Sequence, residues 1–140
     1  MKKYKECNRG VHCRRNIDSG TRILEIPQKF LITVEMGKET EIGKLCLKNK
    51  LNLSASKHCF LSIFVLSDMD REEVSFFTPY YNILPFEFNN MPIFWTKDTL
   101  QWLKGSYMLV QINDRKHNIA ADYEKICKVR KQKSISIHFI

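Results

Sequence analysis

The side chains best suited to metal or nucleophilic chemistry stand near the start of the chain. His12 lies between Cys7 and Cys13, and thiolate and imidazole ligands hold zinc when four of them close a tetrahedron. The spacing here fits no four-ligand pattern and supplies no fourth ligand, so no metal site is expected. A cysteine–histidine nucleophile needs a third group to orient the base, and the sequence identifies none. His58 falls within an apolar segment and reads as a core or boundary histidine. One backbone feature remains. At Arg9-Gly10 the absent Cβ lets the main chain take a tight turn or come close to a bound group.

The elements around that turn read as a β-unit followed by helices. Val11 to Arg14 is expected to run extended, Asp18-Ser19-Gly20 is a turn signal, and Arg22 to Pro27 alternates as a half-buried strand does. Pro27-Gln28 makes a corner, and Phe30 to Val34 is β-branched and apolar. Glu35 to Lys50 has the spacing of an amphipathic helix, with Ile42, Leu45, Cys46 and Leu47 inward. Ser54 or Ser56 can cap the next helix, Lys57 to Met69, which is apolar on most sides and so expected to be buried all round. Ser75 to Pro85 is an aromatic ridge interrupted by Pro79, and Pro92 to Trp95 reads as a short extended run. Thr96 is a cap for Lys97 to Lys104, and Gly105 a stop. Ser106 opens a long helix from Tyr107 to about Lys131. Trp95 and Trp102 are expected to pack among these helices.

With 140 residues, 44% hydrophobic and 27% charged, the chain has ordinary globular composition and enough length for a core. No segment approaches the roughly 18 apolar residues of a membrane helix, and Met1-Lys2-Lys3-Tyr4-Lys5 leads into no apolar h-region. Five scattered cysteines favour free thiols in a reducing compartment, hence an intracellular protein of cytoplasm or nucleus. The net charge of +8 gathers in two clusters, Lys2 to Arg15 and Arg115 to Lys133. Neither interleaves with aromatics as a base-stacking platform would, which disfavours nucleic acid as a partner.

The ordered set of segments resembles a known family. "RNIDSGTRILEIPQKFLIT" after a glycine turn, "SFFTPYYNILP", "PIFWTKDTLQWLKGSYM" and a long helix ending in "DYEKIC" look like a SET-domain protein methyltransferase. The resemblance is to the group holding Rubisco large-subunit lysine methyltransferase and the actin-histidine methyltransferase, whose ridge reads S-F-W-x-P-Y-x-x-x-L-P. It covers about Cys7 to Val129. It implies transfer of a methyl group from S-adenosyl-L-methionine to a lysine or histidine nitrogen of a protein substrate. It also implies that backbone at Cys7, Asn8, Arg9 and Gly10 cradles the methionine end of the cofactor.

The departures shape the expectation. No Asn-His dipeptide occurs, His117-Asn118 being the reverse, and Tyr80 and Tyr81 match the ridge rather than the family's late catalytic tyrosine. No catalytic residue is therefore assigned. The expected fold is α+β and an incomplete SET fold: a small SET-type β-meander over residues 1–36, a mostly helical insertion over 37–131, and an unmatched, disordered tail over 132–140. The chain is read as a truncated methyltransferase fragment, inactive alone. A non-catalytic interaction module and a gene remnant without a stable fold are the alternatives. Oligomeric state and substrate are not legible.

Overall fold

The computed structural model describes residues 2–3, 9–71, 73–85 and 87–131. The tail 132–140 and the expectation placed on it lie outside the described residues. The chain divides into two units, Met1–Leu31 and Ile32–Ile140.

In the first unit, β1 (Lys2–Lys3) pairs antiparallel with β2 (Arg9–Gly10), Lys2 opposite Gly10 and Lys3 opposite Arg9. Beyond that ribbon the described residues form no strand. The Asp18-Ser19-Gly20 turn is present, with Gly20 at φ +83° and the Thr21 amide donating to the Asp18 carbonyl. The hairpins expected around it are not. Arg22 to Pro27 has no ladder partner among the described residues, Gln28–Phe30 is a single 3-10 turn, and Val34 already belongs to a helix. A strand persists only where its amides and carbonyls meet a neighbour. Lacking one, Val11 stays 96% exposed, and Ile23 and Leu24 are exposed as well. The α+β fold with an N-terminal β-meander is thus corrected to a predominantly helical one.

The second unit is built of α1 (Val34–Glu39), α2 (Glu41–Lys48), α3 (Ser56–Met69), α4 (Thr78–Tyr81), α5 (Lys97–Leu100) and α6 (Tyr107–Lys131). The helix read over Glu35 to Lys50 is two helices. Thr40 has extended backbone at the break; its hydroxyl donates to the Gly37 carbonyl and accepts from the Gly43 amide, closing α1 and opening α2 at once. Close approach explains the two glycines. A methyl group at Gly37 would overlap the Phe60 backbone of α3, and one at Gly43 would overlap the Gly37 carbonyl. Ile42, Cys46, Phe60 and Ile63 form the core there, with Val34, Leu51 and Ile126 packed against it.

α3 is where expected but buried on one face only. Phe60, Ile63, Phe64 and Asp68 are inside, while Leu66 and Met69 are exposed. Phe77 meets Phe64 edge-on with ring centroids 5.8 Å apart, which seats the aromatic ridge on α3. Pro79 begins α4 rather than interrupting it, because a first-turn residue needs no amide partner. Pro92–Phe94 is a 3-10 turn, not an extended run. The local signals further on act as read. Thr96 accepts from the Thr99 amide, Gly105 turns at φ +85°, and Ser106 accepts from the Met108 amide at the head of α6. Trp95 donates to the Asn89 carbonyl at 2.8 Å, whereas Trp102 is 86% exposed, against expectation.

Candidate functional site

Of the four residues expected to cradle a cofactor, Cys7 and Asn8 lie outside the described residues, and Arg9 and Gly10 form β2. The sheet has two strands. The outer edge of β2 pairs with no strand among the described residues. His12 and Cys13 follow on exposed, irregular chain. No cluster of three or more potential metal-ligating side chains occurs among the described residues. The described cysteines, Cys13, Cys46, Cys59 and Cys127, are free thiols.

The most developed polar geometry lies in the second unit, between α3 and α6. Asp122 is 3% exposed. Its carboxylate accepts from the Ser54 amide at 2.9 and 3.1 Å, from the Ser54 hydroxyl at 3.2 Å and from the Ala55 amide at 3.4 Å. These groups lead into α3, whose own N-cap residue Ala55 offers no side-chain acceptor. The cap sought at Ser54 or Ser56 is thus supplied from α6, and the negative charge sits at the positive end of the helix dipole. Burial alone would push the Asp122 carboxyl up. Hydrogen bonds from the Ser54 and Ala55 amides, Lys125 and Cys59 together outweigh it and hold the group below the usual carboxylate range.

Beside this clamp is a groove of about 350 Å³ between the two helices. Cys59 lines it and its thiol donates toward Asp122 at 3.6 Å. Burial, then the charge of Asp122, pushes that thiol up, the opposite of what an activated nucleophile needs. His58 is an exposed groove residue rather than a core one. The arrangement suits binding rather than covalent catalysis.

A second buried carboxylate, Asp68, closes the C-terminal end of α3. It accepts from the Ser75 hydroxyl, from the Tyr81 hydroxyl at 2.8 Å, and pairs with Arg71. Burial first, then Asp68, pushes the Tyr81 phenol well above the usual tyrosine value. Tyr81 is a bracing residue of the ridge. Sequence reasoning did not single out Asp122 or Asp68 for these roles. For Asp122 the available signal was a carboxylate standing among the apolar 3- and 4-residue steps of α6, three residues after Ile119 and four before Ile126.

No protein-family model matches the chain, and no solved structure matches it significantly. Curated relatives do. The chain is similar to the human protein named actin-histidine N-methyltransferase, 27% identical over 129 residues, which cover 92% of this chain and 21% of that one. The baboon (Papio anubis) protein of the same name gives the same figures. The Xenopus tropicalis protein is 28% identical over 120 residues, 86% of this chain and 20% of the other. The chain spans about a fifth of the length of these methyltransferases. Among the described residues no helix is long and apolar enough to cross a membrane.

Proposed function

We infer that the chain is part of an S-adenosyl-L-methionine-dependent protein N-methyltransferase of the SET-domain group, acting on a lysine or histidine side chain of a protein substrate. The observation that carries this reading is a similarity to actin-histidine N-methyltransferases that runs along 92% of the chain rather than over one motif. The backbone of Cys7, Asn8, Arg9 and Gly10 would hold the methionine end of the cofactor. The absence of a side chain at Gly10 is compatible with such backbone contacts. When bound, S-adenosyl-L-methionine supplies a methyl group on a positively charged sulfur. The task left to the protein is to align and desolvate the accepting nitrogen.

Residues 1–140 contain no Asn-His dipeptide, and Tyr80 and Tyr81 stand in the aromatic ridge rather than at the place of the family's late tyrosine. Tyr81 is committed to Asp68. By themselves these residues are therefore proposed to give no turnover. Calorimetric titration of the chain with S-adenosyl-L-methionine tests the cofactor reading, with saturable heat expected and lost in Gly10→Val; absence of heat in the parent chain overturns it. Incubation with actin and tritiated cofactor tests the second statement, and robust transfer by the pure chain overturns that one alone.

A further inference from the structure

Asp122 stands midway along the α6 wall of the groove, between Ile119 and Ile126; Cys59, Ser62, Ile63 and Leu66 line the α3 side. Spaces between packed helices are common places for small-molecule sites, whose volumes run from about 300 to 1,000 Å³. At about 350 Å³ the groove has the size of one small organic molecule. Its lining of fifteen residues falls short of the roughly 20–30 per side of a standard protein interface. Size thus favours a small molecule over a folded partner. A second copy of this chain would also bring a net charge of +8 against the same sign.

The lining also sets the chemistry of the ligand. Ile63, Leu66, Ile119 and Ile126 make the walls mainly hydrocarbon. Leu66 and Ile119 are nevertheless 45% and 51% exposed, and withdrawing that apolar surface from water is what drives a ligand in. Ser62 and Asn118 add uncharged hydrogen-bonding groups. The charged groups recruit little. Asp122 is taken by the Ser54 and Ala55 amides and by Lys125, and Arg130 holds a partner of its own. Arg115 and His58 are exposed, where pairing with an opposite charge gains little against water. We propose that the groove is a binding site for an uncharged, mainly hydrocarbon small molecule whose polar part is a single hydroxyl or amide. Such a site is independent of the methyl-transfer reading.

The test titrates the full 140-residue chain with N-phenyl-1-naphthylamine, an uncharged probe that fluoresces in apolar surroundings. One saturable site per chain is expected. Decanol should displace the probe about fivefold more effectively than decanoate or decylamine, whose charges lose water on entering. Position is read from the thiols, because Cys59 and Cys127 line the groove while Cys13 belongs to the first unit. Saturating decanol should slow alkylation of Cys59 and Cys127 by iodoacetamide about threefold, by mass spectrometry, since covered thiols react less; Cys13 should be unaffected. Leu66→Glu with Ile119→Glu should abolish probe binding, and circular dichroism checks that these exposed substitutions leave the helices intact. No saturable binding, no protection of Cys59 and Cys127, or binding that survives the double substitution overturns the proposal. Equal displacement by decanoate or decylamine overturns the assignment of an uncharged ligand. A chain that elutes as a dimer, and as a monomer with the double substitution, overturns the proposal in favour of a second copy.

Discussion

Asp122 on α6 accepts the backbone amide of Ser54, 68 positions earlier, through both carboxylate oxygens at 2.9 and 3.1 Å. A side chain from the last helix thereby completes the start of the third. Removing it leaves two amides and a hydroxyl at the partly buried start of α3 without their acceptor. Asp122→Ala is expected to cost about 2–4 kcal/mol, since charge-assisted bonds are involved and a cap is lost; the midpoint of urea unfolding measures it.

The same carboxyl predicts how stability varies with acid. Its folded pKa lies below the unfolded one, so the unfolded chain takes up the proton first as pH falls. The stabilisation is complete above the ordinary aspartate value, about 4, and is lost as pH drops through the lower folded value. Thermal melts from pH 6 to pH 2.5 should show the fall, and Asp122→Asn should flatten it.

Tyr81 gives the mirror case in base. Its phenol donates to Asp68 and titrates above its usual value, so the folded state keeps the proton that the unfolded state releases. That stability is whole below about pH 10 and fades as pH rises further. Tyr81→Phe should lower stability by about 1 kcal/mol at pH 7. It should also remove the alkaline decline in chemical denaturation at pH 9 to 11.

Much of the helical order was legible because its signals are local. Thr96, Gly105 and Ser106 act through neighbours two or three residues away, and the 3- and 4-residue steps of α3 and α6 need no knowledge of the rest. What stayed hidden depends on partners distant in sequence. Arg22 to Pro27 alternates like a strand, but alternation does not supply the strand beside it. Asp122 looks like a surface residue until Ser54 is placed against it. The apolar composition of α3 suggested burial all round, whereas the fold covers Phe60, Ile63 and Phe64 and leaves the Leu66 side lining a groove. The turn at residues 7–10, proposed to hold the cofactor, was marked by Gly10 and by a family resemblance; of it only Arg9 and Gly10 are among the described residues.

Gly37 and Gly43 bring three helices into backbone contact. Alanine at either position would place a methyl group inside the main chain of a neighbour. Backbone cannot rotate aside as a side chain does, so each substitution should cost at least about 2–3 kcal/mol, the upper part of the overpacking range. Circular dichroism melts of Gly37→Ala and Gly43→Ala measure this.

Trp102 stands in solvent while Trp95 donates a hydrogen bond to Asn89. Trp102→Phe should therefore change unfolding free energy by less than about 0.5 kcal/mol. Acrylamide quenching of the folded protein should fall sharply in that variant, since the more accessible indole has gone.

The long-range cap also bears on how the protein is made. A ribosome releases α3 first and the acceptor for its leading amides 68 residues later, counting from Ser54 to Asp122. At roughly 5–20 residues per second that interval is about 3–14 s, against microseconds for a helix to form and melt. During synthesis α3 is begun by local forces and held by none from the far end. Its Phe60 and Ile63 face can meanwhile pack on α1 and α2, made before it, so what waits for Asp122 is the leading turn of the helix alone.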